Sequence, residues 1–218
     1  MIYLSQENPN LLRTKLKLRN MNKFFTFLLL IVISSSISAQ TNVSGNQSGT
    51  WIYDNSPYLV TDSIIVPVGQ ILTIEAGVTI KFSGNYRFHV KGKLIASGTE
   101  TDSIFFTTEN HSSGWGGIRI DASSEISSLS YCRIEYGKTI SNIFPDQHGG
   151  GVMLDNSDII IDNCVFENNE ATGDDNGMGG AIYGLNTGFG TQITDCIFKN
   201  NYSYGEGGAI KFTRRSKY

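Results

Sequence analysis

The sequence predicts an all-β chain folded as a parallel β-solenoid of about six coils, and three observations carry that prediction. The first is a constant interval. Cys132, Cys164 and Cys196 follow one another at 32 residues. The second is what surrounds them: Cys-x-Ile or Cys-x-Phe at Cys132 to Ile134, Cys164 to Phe166 and Cys196 to Phe198, with an aliphatic residue three positions earlier at Leu129, Ile161 and Ile193. The third is a Gly-Gly pair that opens each unit. It stands at Gly116-Gly117, Gly150-Gly151, Gly179-Gly180 and Gly207-Gly208, at intervals of 34, 29 and 28 residues.

The elements follow in chain order. Residues 1–39 read as a secretory signal: Lys23 precedes the apolar run Phe24 to Ile33, and small polar residues lead to Ile37 and Ala39, where a signal peptidase reads. Met21 is an alternative true start, and the apolar run is shorter than the roughly 20 residues a membrane span needs. Residues 40–218 then form the solenoid. Residues 41–58 are expected to be its N-terminal cap, shielding strand edges that would otherwise stand open. Residues 59–110 supply the first coils, as alternating strands broken at Gly69, Gly77, Gly84, Gly92 and Gly98. Residues 111–218 carry the Gly-Gly and Cys-x-Phe repeats, and the last of them reads as an incomplete coil of a truncated chain, with Arg214, Arg215 and Lys217 guarding its edge.

The repeats are rich in Gly, Asn, Asp, Ser and Thr, and their apolar residues come in short bursts such as "DIIID", "CVF" and "CIF". Such units suit short strands and turns rather than helices. Stacked at about 4.8 Å, successive coils put the three cysteines in one inward column, with Cβ atoms wider apart than the ~3.8 Å a disulfide prefers. Free buried thiols acting as small apolar residues are expected. Phe166 and Phe198 share a neighbouring core column. Asn168-Asn169 and Asn200-Asn201 fall one period apart at a turn, where Asn tolerates left-handed backbone and its amide can bond the next amide in a ladder. One phase stays open: Ile118 and Val152 put the first residue after Gly-Gly inward, whereas "GGAIKF" on that rule turns Lys211 inward too.

The stretch "LTIEAGVTIKFSG...VKGKLIASGTETDSIFFTT...GWGGIRI" resembles the N-terminal coils of exported bacterial right-handed parallel β-helix proteins. The paired F-x-x-N (Phe166 to Asn169, Phe198 to Asn201) and G-G-A-I (Gly179 to Ile182, Gly207 to Ile210) resemble the repeat of the polymorphic outer membrane protein family. The resemblance covers about Ile64 to Phe212. It implies a right-handed single-stranded β-helix, secreted or displayed on a bacterial surface in an adhesin-like role. It implies architecture and display rather than a reaction.

The chain carries a net charge of −3; removing five bases of 17 and one acid of 20 with residues 1–39 leaves −7. That balance opposes nucleic-acid binding, which needs a basic face. The acidic cluster Asp174-Asp175-Asn176 lies in a loop four residues longer than its counterpart, with Asp155, Asp158 and Asp162 in the same coil. Its oxygens could hold Ca²⁺, its carboxylates could work on a sugar, or it is a solvated turn. No other cofactor is implied. Arg119 is expected to point outward, and His89, His111 and His148 to lie apart on the surface. Trp115, Tyr183, Phe189, Tyr202 and Tyr204 either line a sugar-stacking strip or fill the core. The expected function is a non-catalytic, exported or cell-surface scaffold binding carbohydrate or a host or cell-surface ligand. The alternative is a polysaccharide lyase or glycoside hydrolase on the same scaffold. An Asp/Lys/Arg cluster aligned on one face over adjacent coils would favour the enzyme.

Overall fold

The structure is a computed structural model and describes residues 10, 13–15, 17, 40–139, 143–173 and 176–214. The signal-like segment lies outside the described residues, apart from those before Gln40 just given. Among the described residues, no helix is long and apolar enough to cross a membrane. Arg215 and Lys217 also fall outside them.

The described residues from Gln40 to Arg214 wind as a right-handed parallel β-helix with three faces to each coil. The first coil runs through β1 (Thr41–Asn46), β2 (Gly49–Trp51) and the start of β3 (Tyr58–Val66). The end of β3 begins the second, which continues through β4 (Ile71–Ile74) and β5 (Thr79–Phe82). Then come β6 (Phe88–Val90), β7 (Lys93–Ser97) and β8 (Ile104–Thr108), followed by β9 (Ile118–Asp121), β10 (Ser127–Ser130) and β11 (Cys132–Glu135). The fifth coil is β12 (Val152–Asp155), β13 (Ile159–Asp162) and β14 (Val165–Glu167), with the short β15 (Glu170–Ala171) after it. The sixth is β16 (Ile182–Leu185), β17 (Gln192–Thr194) and β18 (Ile197–Lys199), with β19 (Tyr202–Ser203); β20 (Ile210–Thr213) opens a further one.

Every ladder is parallel. The first face stacks β3–β6–β9–β12–β16–β20, the second β2–β4–β7–β10–β13–β17, and the third β3–β5–β8–β11–β14–β18. The long strand β3 joins the first face to the third, because its start pairs β5 and its end pairs β6. Residues 41–58 thus supply the first rungs of the stack, pairing with β3 and β4.

Corners explain how so short a strand can turn. In the fourth to sixth coils one residue with positive φ ends each face: Ala122, Asn156 and Asn186 after the first, Tyr131, Asn163 and Asp195 after the second, Tyr136, Asn168 and Asn200 after the third. A single left-handed residue bends the chain without using a loop, and Asn carries that conformation at least cost. The ladder role and the corner role therefore belong to different asparagines. Asn168 and Asn200 turn the backbone, while Asn169 and Asn201 form the amide ladder.

The core is a set of stacked inward columns. On the third face Tyr58, Ile80, Phe106, Ile134, Phe166 and Phe198 follow one another in register, beside Ile104, Cys132, Cys164 and Cys196. On the second face Leu129, Ile161 and Ile193 align. Trp115 is fully buried and stacks on Phe82 with ring centroids 4.2 Å apart, so it belongs to the core. Each such ring removed from water contributes about 1.5–3 kcal/mol.

Register settles the phase left open by the sequence. Ile118, Val152, Ile182 and Ile210 occupy one inward column, which puts Arg119, Met153, Tyr183 and Lys211 on the outward side. Counting back from these residues aligns Gly149, Gly179 and Gly207, with φ of 68°, 65° and 71°. The inward residue is the first after Gly-Gly in β9 but the second in β16 and β20. Lys211 therefore faces out. A Cβ at Gly179 would meet the Ile182 carbonyl of its own turn, and one at Gly180 would meet the Gly208 carbonyl of the next coil, so the first position allows a tight turn and the second a close approach of coils.

Candidate functional site

The outward side of the first face is where polar chemistry collects. Its main row runs His89, Arg119, Met153, Tyr183, Lys211 from coil to coil, with Asp121, Asp155, Leu185 and Thr213 in a second row beside it. The early coils of this face are charged, Met153, Tyr183 and Leu185 make its middle apolar, and Lys211 and Thr213 return it to polar at the end. Over the charged and apolar parts lies the connection between β11 and β12, whose described residues include Phe144, Asp146 and His148.

Asp146 fastens that connection. One of its oxygens accepts from Arg119 Nη1, and the other lies 3.2 Å from Arg87 Nη1. Arg119 also reaches Asp155 Oδ2 at 3.4 Å and comes within 4.0 Å of Asp121 Oδ2. Its side chain points out of the β-helix core, as the sequence suggested, yet the residue is only 8% exposed because the connection covers it. The cavity left among Arg87, Arg119, Asp146 and His148 is about 10 Å³, room for about one water.

Two histidines depart from the expected surface position. His148 is buried, stacks on Tyr183 at 4.4 Å, and its Nδ1 accepts the Met178 N–H at 3.0 Å. That bond requires an unprotonated Nδ1, and burial lowers the pKa of the ring. His89 is half-buried, with Nε2 3.5 Å from Asp121 Oδ2 but not hydrogen-bonded. Burial, then the Arg119 charge, lower its pKa. His111 is exposed and stacks on Tyr136 at 3.8 Å.

Beyond His148 the first face opens into a groove of about 320 Å³ with a mainly apolar lining. Phe144, Met178 and Tyr183 supply its apolar wall and floor, and the Glu206–Lys211 ion pair and Thr213 its polar rim. Bonding to Lys211 holds the Glu206 carboxyl below its usual pKa.

The repeat residues named from sequence serve the stack. Asn169 is fully buried: its Oδ1 accepts from Gly137 N–H at 2.9 Å, and its Nδ2 donates to the Ile134 carbonyl at 2.9 Å and to Asn201 Oδ1 at 3.0 Å. Asn201 Nδ2 in turn reaches the Phe166 carbonyl at 2.9 Å. Phe166 and Phe198 stack with centroids 5.2 Å apart. Cys132 and Cys164 are buried free thiols, whereas Cys196 is only half-buried, a departure from the expectation for all three. The hydrogen bond with Cys132 raises the pKa of Cys164, and the bond with Cys164 and burial raise that of Cys196.

Among the described residues, the acids named for Ca²⁺ or catalysis each bond to separate partners. Asp174 and Asp175 lie outside the described residues; Asn176 is exposed at the groove. Asp155 pairs with Arg119, while Asp158 accepts from Gly188 N–H at 2.7 Å and from Thr191 Oγ1 at 2.7 Å. Asp162 accepts from Thr194 Oγ1 at 2.7 Å, which lowers its pKa. Among the described residues no group of three or more His, Cys, Asp or Glu could hold a metal ion. The candidate aromatic strip also divides: Trp115 and Tyr183 are buried, and Tyr202, Tyr204 and Phe189 are exposed.

Sequence reasoning missed Arg87, Asp146 and the covering connection. A signal existed. The chain spends 34 residues from Ile118 to Val152 but 28 from Ile182 to Ile210, and the surplus falls between β11 and β12.

Three stacked parallel faces, inward columns and an asparagine ladder define a right-handed β-helix repeat protein. Residues 45–198 match the pectate-lyase like β-helix domain family, and the chain belongs to it. Residues 195–213 match the Chlamydia polymorphic membrane protein repeat. The chain is also similar to Protein bark beetle of Drosophila melanogaster, 40% identical over 60 residues that make up 28% of this chain and 2% of that protein. The chain thus spans a small fraction of that relative's length. No solved structure matches the chain.

Proposed function

We propose that the protein is a non-catalytic β-helix scaffold, exported and displayed at a bacterial cell surface, where it binds carbohydrate or another surface ligand in an adhesin-like role. The observation that carries this reading is the fate of the charged row. Arg87 and Arg119 close on Asp146, and Arg119 on Asp155, beneath a connection that leaves no room for a substrate. The signal-like N-terminus and the match to a membrane-protein repeat support display.

A second reading has its own support. Arg87, His89, Arg119, Asp121 and Asp155 do align on one face over adjacent coils, the arrangement expected of a polysaccharide lyase or glycoside hydrolase. The test treats a panel of polysaccharides with the full-length chain and measures new chain ends, while antibodies to it label intact and lysed source cells. The scaffold reading expects labelling of intact cells and no new ends. Cleavage of any polysaccharide would move the protein to the enzyme reading, and labelling of lysed cells alone would remove surface display.

A further inference from the structure

We propose that the groove at the C-terminal end of the first face is a binding site for a neutral pyranose ring, which deepens the carbohydrate-binding reading and rests on it. Three observations point there. The lining is mainly apolar, with Phe144 47% exposed and with Tyr183 and Met178 beside the His148 ring that Phe144 packs against. A pyranose has an apolar face of C–H groups that packs on such a surface.

The second observation is an unanswered hydroxyl. Thr213 Oγ1 is buried at the groove and has no hydrogen-bond partner, a state that costs about 1–3 kcal/mol unless something supplies one. Its neighbours in the rim are the exposed amide of Asn176 and the carboxylate of Glu206. A ring bearing several hydroxyls can donate to the carboxylate and to Thr213 at the same time.

The third is charge. Among the described residues lining the groove, Lys211 is the only lysine or arginine, and Glu206 already neutralises it. His148 is committed through Nδ1 to the Met178 N–H. Among the described lining residues no cation is left over for a uronate or sulfate, so the chemistry favours an uncharged sugar. The groove volume of about 320 Å³ lies at the small end of ligand sites and fits a short saccharide.

The test uses the full-length chain on an array of neutral and uronate-containing oligosaccharides, followed by titration calorimetry with the best neutral disaccharide and the corresponding uronate disaccharide. Neutral sugars should bind, and the uronate form at least about tenfold more weakly. Phe144→Ala should weaken neutral-sugar binding by about tenfold or more, and Thr213→Val, which keeps side-chain shape, by several-fold. Phe189→Ala, at an exposed ring outside the groove lining, should change nothing. Binding that ignores both groove variants overturns this site but leaves carbohydrate binding standing. A preference for uronates overturns the neutral-sugar assignment. No binding to any sugar removes both this site and the carbohydrate part of the proposed function.

Discussion

Coils five and six are written in almost the same words and live in different surroundings. "CVFENN" and "CIFKNN" both place Cys, Phe and Asn in the same three columns. In coil five Ile161, Cys164, Phe166 and Asn169 are fully buried, because coil four stacks on one side (β10 and β11) and coil six on the other (β17 and β18). In coil six Ile193, Cys196 and Phe198 are only partly buried, and Ile197 is 51% exposed. A repeat motif therefore sets direction, not burial. Burial comes from having a coil on both sides, as expected when each unit contacts only its neighbours.

The largest contrast should come from the phenylalanines. Phe166→Ala should destabilise the fold by about 3–5 kcal/mol, and Phe198→Ala by about half as much, in denaturant unfolding of the two variants. Equal costs would break the comparison. Next come the ladder amides. Asn169→Ala strands the Gly137 N–H and the Ile134 carbonyl and should cost about 1–3 kcal/mol, against about 1 for Asn201→Ala.

A smaller effect comes with acid, and its sign follows from the lowered His148 pKa. The folded protein keeps this ring neutral, while the unfolded chain takes up its proton near the ordinary value of 6.5. Between that value and the lowered one the unfolded state binds more protons, so stability falls as pH falls through the window. Denaturant midpoints measured from pH about 7 to about 5 should drop, and His148→Gln, whose Oε1 can still accept the Met178 N–H, should flatten the drop. An unchanged slope in that variant would assign the acid sensitivity elsewhere, His89 being the other histidine with a lowered pKa. The smallest effect is kinetic. Of the three thiols, Cys196 should react first with a thiol reagent in the native protein, and Cys132 and Cys164 only on unfolding.

The fold was legible because stacking forces periodicity on the sequence. The 32-residue cysteine interval and the Leu129, Ile161, Ile193 series are the columns of the structure read end on. The phase after Gly-Gly was not legible, since Gly149-Gly150-Gly151 allows two pairings and only the register of Val152 with Ile182 decides. The site was harder still. Asp146 reaches Arg87 and Arg119 across 59 and 27 positions, and such pairing depends on where an irregular connection lands rather than on any period. Asp155, by contrast, drew notice as an acid and proved to be a partner of Arg119.

The central claim is that the charged row of the first face fastens coils rather than cleaving a sugar, and Arg119→Met tests it with two readouts from one protein. The account predicts that the full-length wild type releases no chain ends from polysaccharides and that the variant loses about 3 kcal/mol of unfolding free energy, since Asp146 and Asp155 lose their shared partner. A wild type that cleaves, paired with a variant that no longer cleaves yet unfolds at the same denaturant concentration, would contradict it.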